Sequence, residues 1–181
     1  NGPVTIAGNS IGMNGAGTLV FGNRNDGIQA YFSRHVQIGG PTPAWRNLIG
    51  GNTSNGVQLY QTRHSAIAGN YIGTDGGLML ARSNFNAGVY LFGAGSVSND
   101  IDNNVISGNG GPGLHIDQQP SFIRVRGNRI GLGSGNLQPL PNRGPGVLVN
   151  GSEKNLYGGY STSDANRIAF NLGPGIAVTS I

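Results

Sequence analysis

The feature that most constrains this chain is a frame that returns six times along its 181 residues. It consists of an Asn, an Ile two positions on, a second Asn, and four residues later a Gly followed by an apolar residue. The first Asn is Asn9, Asn47, Asn70, Asn104, Asn128 and Asn166, followed by Ile11, Ile49, Ile72, Ile106, Ile130 and Ile168. The second is Asn23, Asn52, Asn84, Asn109, Asn142 and Asn171, and Gly27, Gly56, Gly88, Gly113, Gly146 and Gly175 close the frame. Another apolar residue leads into each unit, at Ile6, Ile38, Ile67, Ile101, Val125 and Leu156. One basic coil is then roughly 22 to 25 residues, enough for three short strands and their corners. A unit that small buries its apolar side chains only against its neighbours, so the chain is expected to wind as a solenoid.

The Asn columns have a physical reason. Tight turns between short strands need left-handed or bridge conformations, which Asn and Gly tolerate best. When such turns stack at about 4.8 Å, the side-chain amides can donate to and accept from one another up the column. Both Asn sets are therefore expected to be structural ladders. Composition agrees. Gly numbers 34, far above the usual share of about 7%, without the period of a collagen. Hydrophobic residues make up 36%, low for a globular domain but sufficient for a narrow continuous core. A disordered chain has no reason to keep apolar residues at fixed places.

No stretch approaches the roughly 18 apolar residues of a membrane span, and no basic-then-apolar signal segment opens the chain. Cys is absent, which excludes a disulfide framework and thiol chemistry. The whole of 1–181 reads as one domain. Asn1 begins mid-coil and Ile181 follows the last Gly-apolar pair without a polar cap, so the domain is expected to be a fragment of a longer solenoid, with end-to-end association through uncapped coils as a consequence.

The coils differ at one corner. From the Ile to the second Asn the spacing is 12 residues in coils one, three and five (Ile11 to Asn23, Ile72 to Asn84, Ile130 to Asn142) and 3 in the others. Every second coil thus carries a nine-residue insertion on the same edge. A second set, Pro41 to Arg46 and Tyr160 to Ala165, interrupts coils two and six at the preceding corner. Insertions gathered on one face are often a binding face; equally, they can shield the sheet edge. The apolar content of Thr18 to Phe21, Leu78 to Leu80 and Leu137 to Leu140 predicts that the loops pack down on the solenoid.

The strand after each Gly alternates. Ile28 and Ala30, Val57 and Leu59, Val89 and Leu91, Leu114 and Ile116, and Val147 and Val149 are expected to point inward. Gln29, Tyr31, Gln58, Tyr60, Tyr90, Phe92, His115, Asp117, Leu148 and Asn150 then point out. Tyr31, Tyr60 and Phe92 form an aromatic column with Tyr90 and His115 beside it. Such a stripe suits the apolar faces of sugar rings, with Gln, His and Asp supplying hydrogen bonds. The alternative is an aromatic ladder that stabilises the sheet face for its own sake.

Arg34-His35 and Arg63-His64 occupy equivalent corner positions on adjacent coils. Two adjacent Arg side chains repel unless an anion lies between them, which makes an acidic glycan one reading and screened surface charge the other. Asp100 and Asp102 flank Ile101 as Arg124 and Arg126 flank Val125 one coil later, which predicts two cross-strand ion pairs. Asp117 has no carboxylate on either neighbouring rung, so the pair required for glycoside hydrolysis is not met. A catalytic role for His115 and Asp117 is the weaker alternative to none.

Other motifs fail their context. Gly108, Gly110 and Gly113 fit GxGxxG but sit on the repeat's turn with no helix following. No His cluster has metal spacing and no cofactor motif is present. The net charge of +4 rests on scattered Arg without interleaved aromatics, which argues against nucleic acid. Asn52-Thr53-Ser54 and Asn150-Gly151-Ser152 match the glycosylation acceptor, a weak signal in an Asn-rich chain; Asn52 is better explained by its ladder.

In all six coils the chain resembles the right-handed parallel β-helix, or pectate-lyase-like, superfamily. The segments Ile67 to Asp75 and Asn104 to Asn109 are particularly similar to repeats of large bacterial secreted or surface proteins. The resemblance implies an all-β, right-handed parallel β-helix of about six coils with stacked Asn and Gly turns. It also implies an extracellular or cell-surface location and polysaccharide on an outer sheet face. The acidic calcium cluster and catalytic Arg or Lys of the superfamily's lyases have no matching positions here. The expected function is a non-catalytic rigid scaffold or carbohydrate platform, with a polysaccharide lyase or glycoside hydrolase as the alternative.

Overall fold

A computed structural model of the chain describes residues 3–179; the expectation built on Asn1 and Ile181 lies outside them. The described residues form three parallel sheets of six strands each, every coil giving one strand to each sheet. The first sheet runs through Val4–Ile6, Val36–Gly39, Ala66–Ala68, Asp100–Asp102, Arg124–Arg126 and Leu156–Tyr157. The second holds the two-residue strands that contain Ile11, Ile49, Ile72, Ile106, Ile130 and Ile168. The third holds Ile28–Tyr31, Val57–Tyr60, Val89–Phe92, Leu114–Asp117, Val147–Asn150 and Ile176–Thr179. This is a parallel β-helix of six coils. The register makes Ile6, Ile38, Ile67, Ile101, Val125 and Tyr157 successive partners. In the last coil Tyr157, not the expected Leu156, packs on the core, and Leu156 pairs with Arg124 on the exposed side.

The first five coils turn one apolar side chain inward from each of the first two sheets and two from the third. These make one continuous core against which Tyr157 and Ile168 of the sixth coil also pack; Ile176 and Val178 are exposed. In the middle coils the burial is complete, with Ile49, Ile67, Ile72, Val89, Leu91, Ile101, Ile106, Leu114 and Ile116 fully inaccessible. The third sheet follows the expected alternation, with Val57, Leu59, Val89, Leu91, Leu114, Ile116, Val147 and Val149 inside.

Both Asn columns are hydrogen-bonded ladders running in one direction. In the first, each Nδ2 donates to the Oδ1 of the next coil: Asn9 to Asn47 at 3.0 Å, then to Asn70 at 2.9 Å, Asn104 at 3.1 Å, Asn128 at 3.1 Å and Asn166 at 3.0 Å. The second repeats this from Asn23 through Asn52, Asn84, Asn109 and Asn142 to Asn171 at 2.8–2.9 Å. The same oxygens accept backbone N–H groups of the previous coil, such as Asn70 N–H to Asn104 Oδ1 at 3.0 Å. Thus the corner peptides, which no sheet can satisfy, find partners inside the turn. Glycine is required beside these amides. A Cβ on Gly39, which has φ +76°, would lie 2.2 Å from the Ala68 carbonyl oxygen and 2.3 Å from Asn70 Oδ1.

The ladders explain Asn52 as expected: it is buried and bonded to Asn84, so its glycosylation motif is out of reach. The two ion pairs are also present. Arg124 grips Asp100 through two bonds of 2.6 and 2.7 Å, and Arg126 grips Asp102 at 3.2 and 2.8 Å. Gly108, Gly110 and Gly113 lie on the corner between the second and third sheets, with no helix after them.

The three nine-residue insertions leave from that same corner as short hairpins, closed by antiparallel bridges Met13 to Val20, Thr74 to Ala81 and Leu132 to Pro139. They touch across the intervening coils. Arg82 donates from Nε to the Gly17 carbonyl at 2.8 Å and from Nη2 to that of Thr18 at 2.9 Å, and Ser134 N–H reaches the Leu78 carbonyl at 2.9 Å. The expected packing-down holds in part. Met13, Leu78, Leu132 and Leu140 are buried, but Leu19, Phe21, Met79, Leu80 and Leu137 are exposed. A hairpin has two faces and only one can lie on the coil beneath. The second set of insertions contains single 3-10 turns, Pro43–Trp45 and Thr162–Asp164, between the first and second sheets.

Candidate binding face

The outer face of the third sheet carries the site residues singled out in the sequence. Its strands run four residues, long enough to project two side chains outward per coil, and parallel pairing stacks them in two columns. One column runs Gln29, Gln58, Tyr90, His115 and Leu148; the other runs Tyr31, Tyr60, Phe92, Asp117 and Asn150.

The aromatic members touch in an unbroken strip over four coils. Tyr31 meets Tyr60 edge to face at 5.8 Å between ring centroids, and Tyr60 meets Phe92 at 4.7 Å. Phe92 stacks on Tyr90 at 4.4 Å with planes 6° apart, and Tyr90 stacks on His115 at 4.8 Å. Phe32 extends the strip by packing on Tyr60 at 5.1 Å. Sequence alternation missed Phe32 because it lies one residue past its strand, at φ +49°, a left-handed turn that swings it to the sheet's outer side. Stacking also changes the exposure. Tyr31 is 46% exposed and Phe32 78%, whereas Tyr60, Tyr90, Phe92 and His115 are half-buried against one another.

The polar members are held by partners of their own. Gln29 Nε2 donates to Asp26 Oδ2 at 2.6 Å; Asp26 Oδ1 accepts from the Asn55 backbone and side chain; Asn55 Nδ2 also reaches Gln58 Oε1; and Gln58 donates to the Tyr31 hydroxyl. Asp26 is buried, and it and Asn55 belong to a short polar column that the sequence frame does not reveal. Another such column is formed by Ser65, Asn99 and Asn155, which accept the N–H of Val36, Ser65 and Ile123. Both alternate with apolar residues along the stack, so they leave no repeated letter.

At the other end, the Tyr90 hydroxyl donates to Asp117 Oδ2 at 3.1 Å, and Asp117 Oδ1 accepts the Gln118 N–H at 2.9 Å. Burial, reinforced by the Asp117 charge, pushes the Tyr90 phenol up to about 12, so it stays a donor at any ordinary pH. Burial lowers the His115 pKa against the opposing pull of Asp117. Asn150 Nδ2 lies 3.0 Å from His115 Nε2, and Thr179 Oγ1 donates to Asn150 Oδ1 at 2.6 Å. Asp117 has Phe92 on one side and Asn150 on the other, so its column supplies no second carboxylate.

Arg34 and Arg63 are bridge partners on adjacent coils, and His35 and His64 stack at 5.7 Å with planes 16° apart. Among the described residues no group of three or more His, Cys, Asp or Glu is arranged to hold a metal ion. Rings stacked face to face direct their nitrogens along parallel planes instead of converging on one point. Of the two methionines, Met13 is buried at the base of the first insertion and Met79 is exposed on the second. Imidazole, thiolate and thioether donors hold a soft metal where they converge, and those of the described residues do not. No helix among the described residues is long and apolar enough to cross a membrane.

A three-sheeted stack of near-identical coils, knitted by Asn ladders, defines a repeat protein of the parallel β-helix class. Within that class the chain belongs to the family described as "Periplasmic copper-binding protein (NosD)", whose pattern matches residues 2–130. No curated protein and no solved structure matches it.

Proposed function

We propose that this chain is a non-catalytic β-helical segment of a protein working outside the cytoplasm, in the periplasm or at the cell surface, and that the outer face of its third sheet is a carbohydrate platform. The observation that carries the reading is the ring strip from Phe32 to His115. Aromatic surface suits sugar rings, it is most open at Tyr31 and Phe32, and the bonded Gln29, Gln58, Asp117 and Asn150 along the strip offer fixed hydrogen-bonding groups. In this use of an outer sheet face the chain would parallel pectate-lyase-like β-helices. The periplasmic setting is supported by the family's description. Copper, which that description also names, finds no converging donor set among the described residues, so the platform is proposed without it.

A glycan array on the intact chain, with reducing-end release followed on each hit, tests the proposal. Replacing Tyr31, Tyr60 and Phe92 by Ala is expected to lower retention at least tenfold while the circular dichroism stays unchanged, because these side chains point away from the core. Unchanged retention would remove the platform. Release of reducing ends, abolished in Asp117→Asn, would replace it with the hydrolytic or lyase reading.

A further inference from the structure

We infer that the aromatic platform ends in an anion subsite between Arg34 and Arg63, and that its ligand is an acidic sugar carrying a carboxylate or sulfate. The inference rests on the platform reading and names its ligand class.

Beside the first two coils lies a cleft of about 650 Å³, within the 300–1,000 Å³ typical of ligand sites. Its lining includes Tyr31, Phe32, Ser33, Arg34, Gln61 and Arg63. Arg34 and Arg63, both exposed, thus line one cleft from adjacent rungs, whose backbones are bridged. The ion pairs of the described residues join Arg124 to Asp100, Arg126 to Asp102 and Lys154 to Glu153; Arg34 and Arg63 take part in none of them. Neighbouring rungs lie about 4.8 Å apart, so like charges projecting from them repel, and an oxyanion bound between them would offset the repulsion by accepting from both guanidinium forks.

Position along the stack makes the arrangement specific. The bridge column that begins Arg34 and Arg63 continues as Val97, Ser121 and Glu153. The paired positive charge is therefore confined to the two coils that also carry Tyr31, Phe32 and Tyr60, where the ring strip is most open. The carboxylate of the strip, Asp117, stands two rungs beyond Tyr60 and is bonded to Tyr90 and Gln118. A sugar ring lying on Tyr31 and Phe32 would place an equatorial acidic substituent towards the Arg pair, with the Gln61 amide beside it.

The test is calorimetric titration of the intact chain with three linear hexasaccharides: a hexauronate, its fully methyl-esterified form and a sulfated neutral backbone. The acidic ligands are expected to bind at least tenfold more tightly than the ester at 50 mM salt, and the advantage should shrink at 0.5 M. Comparison of the uronate and sulfated arms tells which oxyanion the subsite prefers. Arg34→Gln with Arg63→Gln should erase the advantage and leave ester binding unchanged. Should the double variant unfold, Arg63→Gln alone, judged by the same ratio, replaces it. Equal affinity for acid and ester, an advantage that survives the Arg substitutions, or no binding of any of the three would overturn the inference. Ester binding that still depends on Tyr31, Tyr60 and Phe92 would leave the platform standing without it. Conversely, an acid preference lost only in the Arg variants, with the aromatic substitutions inert, would uphold the anion subsite and sink the platform.

Discussion

Asn104→Ala is the sharpest probe of what holds the coils together. The Asn104 side chain is 1% exposed and makes four hydrogen bonds: Nδ2 donates to the Ile67 carbonyl at 2.8 Å and to Asn128 Oδ1 at 3.1 Å, and Oδ1 accepts from Asn70 N–H at 3.0 Å and Asn70 Nδ2 at 3.1 Å. Truncation removes all four. The Asn70 side chain keeps its bonds to the Ile38 and Ala68 carbonyls, but its backbone N–H is left buried with no partner. With three bonds at about 1 kcal/mol net each and about 1–3 kcal/mol for the orphaned Asn70 N–H, the cost should be about 4–6 kcal/mol. Asn9→Ala is the control. That residue is exposed and its side chain only donates, to the Ala7 carbonyl and Asn47 Oδ1, so its loss should cost about 1 kcal/mol. Urea denaturation of both variants gives the difference. Amide exchange localises it, since the Asn70 N–H should lose protection in Asn104→Ala and keep it in Asn9→Ala. If the two variants lose equal stability, or the Asn70 amide exchanges no faster, the ladder is not what holds the corner.

Three further substitutions and one titration probe the same reasoning elsewhere. Gly39→Ala drives a methyl into the Ala68 carbonyl and the Asn70 amide and should cost about 3 kcal/mol or more. Gly135→Ala, at φ +62° with open space around it, should cost about 1 kcal/mol, so equal losses would show that the ladder glycines are needed only for φ. Thr62 is fully buried with an Oγ1 that has no partner among the described residues, so Thr62→Val should leave the melting temperature unchanged or raise it; a fall of several degrees would expose an unrecognised bond. His115 has its folded pKa lowered by burial, so below about pH 6.5 the unfolded chain binds the extra proton first. Stability should therefore decline as pH falls from about 6.5 towards the depressed folded value and be insensitive to this residue above that window. An NMR titration of the His115 ring with a midpoint at or above 6.5 would contradict it.

Much of the fold was legible because identical letters stacked. Six coils, two Asn ladders, the inward Ile column and the Asp100–Arg124 and Asp102–Arg126 pairs all rest on residues that recur at fixed offsets, and stacking converts an offset in sequence into contact in space. The polar columns through Asp26 and Asn55 and through Ser65, Asn99 and Asn155 were not legible. Their members alternate with Ala87, Val36 and Ile123, so the same backbone need is met by different letters or left to the sheet. Phe32 was invisible for a different reason, since a period of two ends where the strand ends and says nothing of where a left-handed residue will aim. The hairpin tips likewise escaped, because counting apolar residues does not tell which of two faces they share.

The same geometry explains why the site is harder to read than the fold. Along each third-sheet strand the inward residues must match the coils above and below, and they remain Ile, Val, Leu or Ala from coil to coil. Their outward neighbours carry no such obligation, so Gln29 gives way to Gln58, Tyr90, His115 and Leu148 in one column and Tyr31 to Tyr60, Phe92, Asp117 and Asn150 in the other. A repeat therefore announces itself through what cannot vary, and any binding chemistry sits in what can. Aromatic character persists on that face for coils one to four and then stops at Leu148, although the sheet continues unchanged to Ile176–Thr179. If the rings served the sheet alone, all six coils would have equal use for them. Their confinement to four coils, beside the two that pair Arg34 with Arg63, is what favours a ligand over a purely structural ladder.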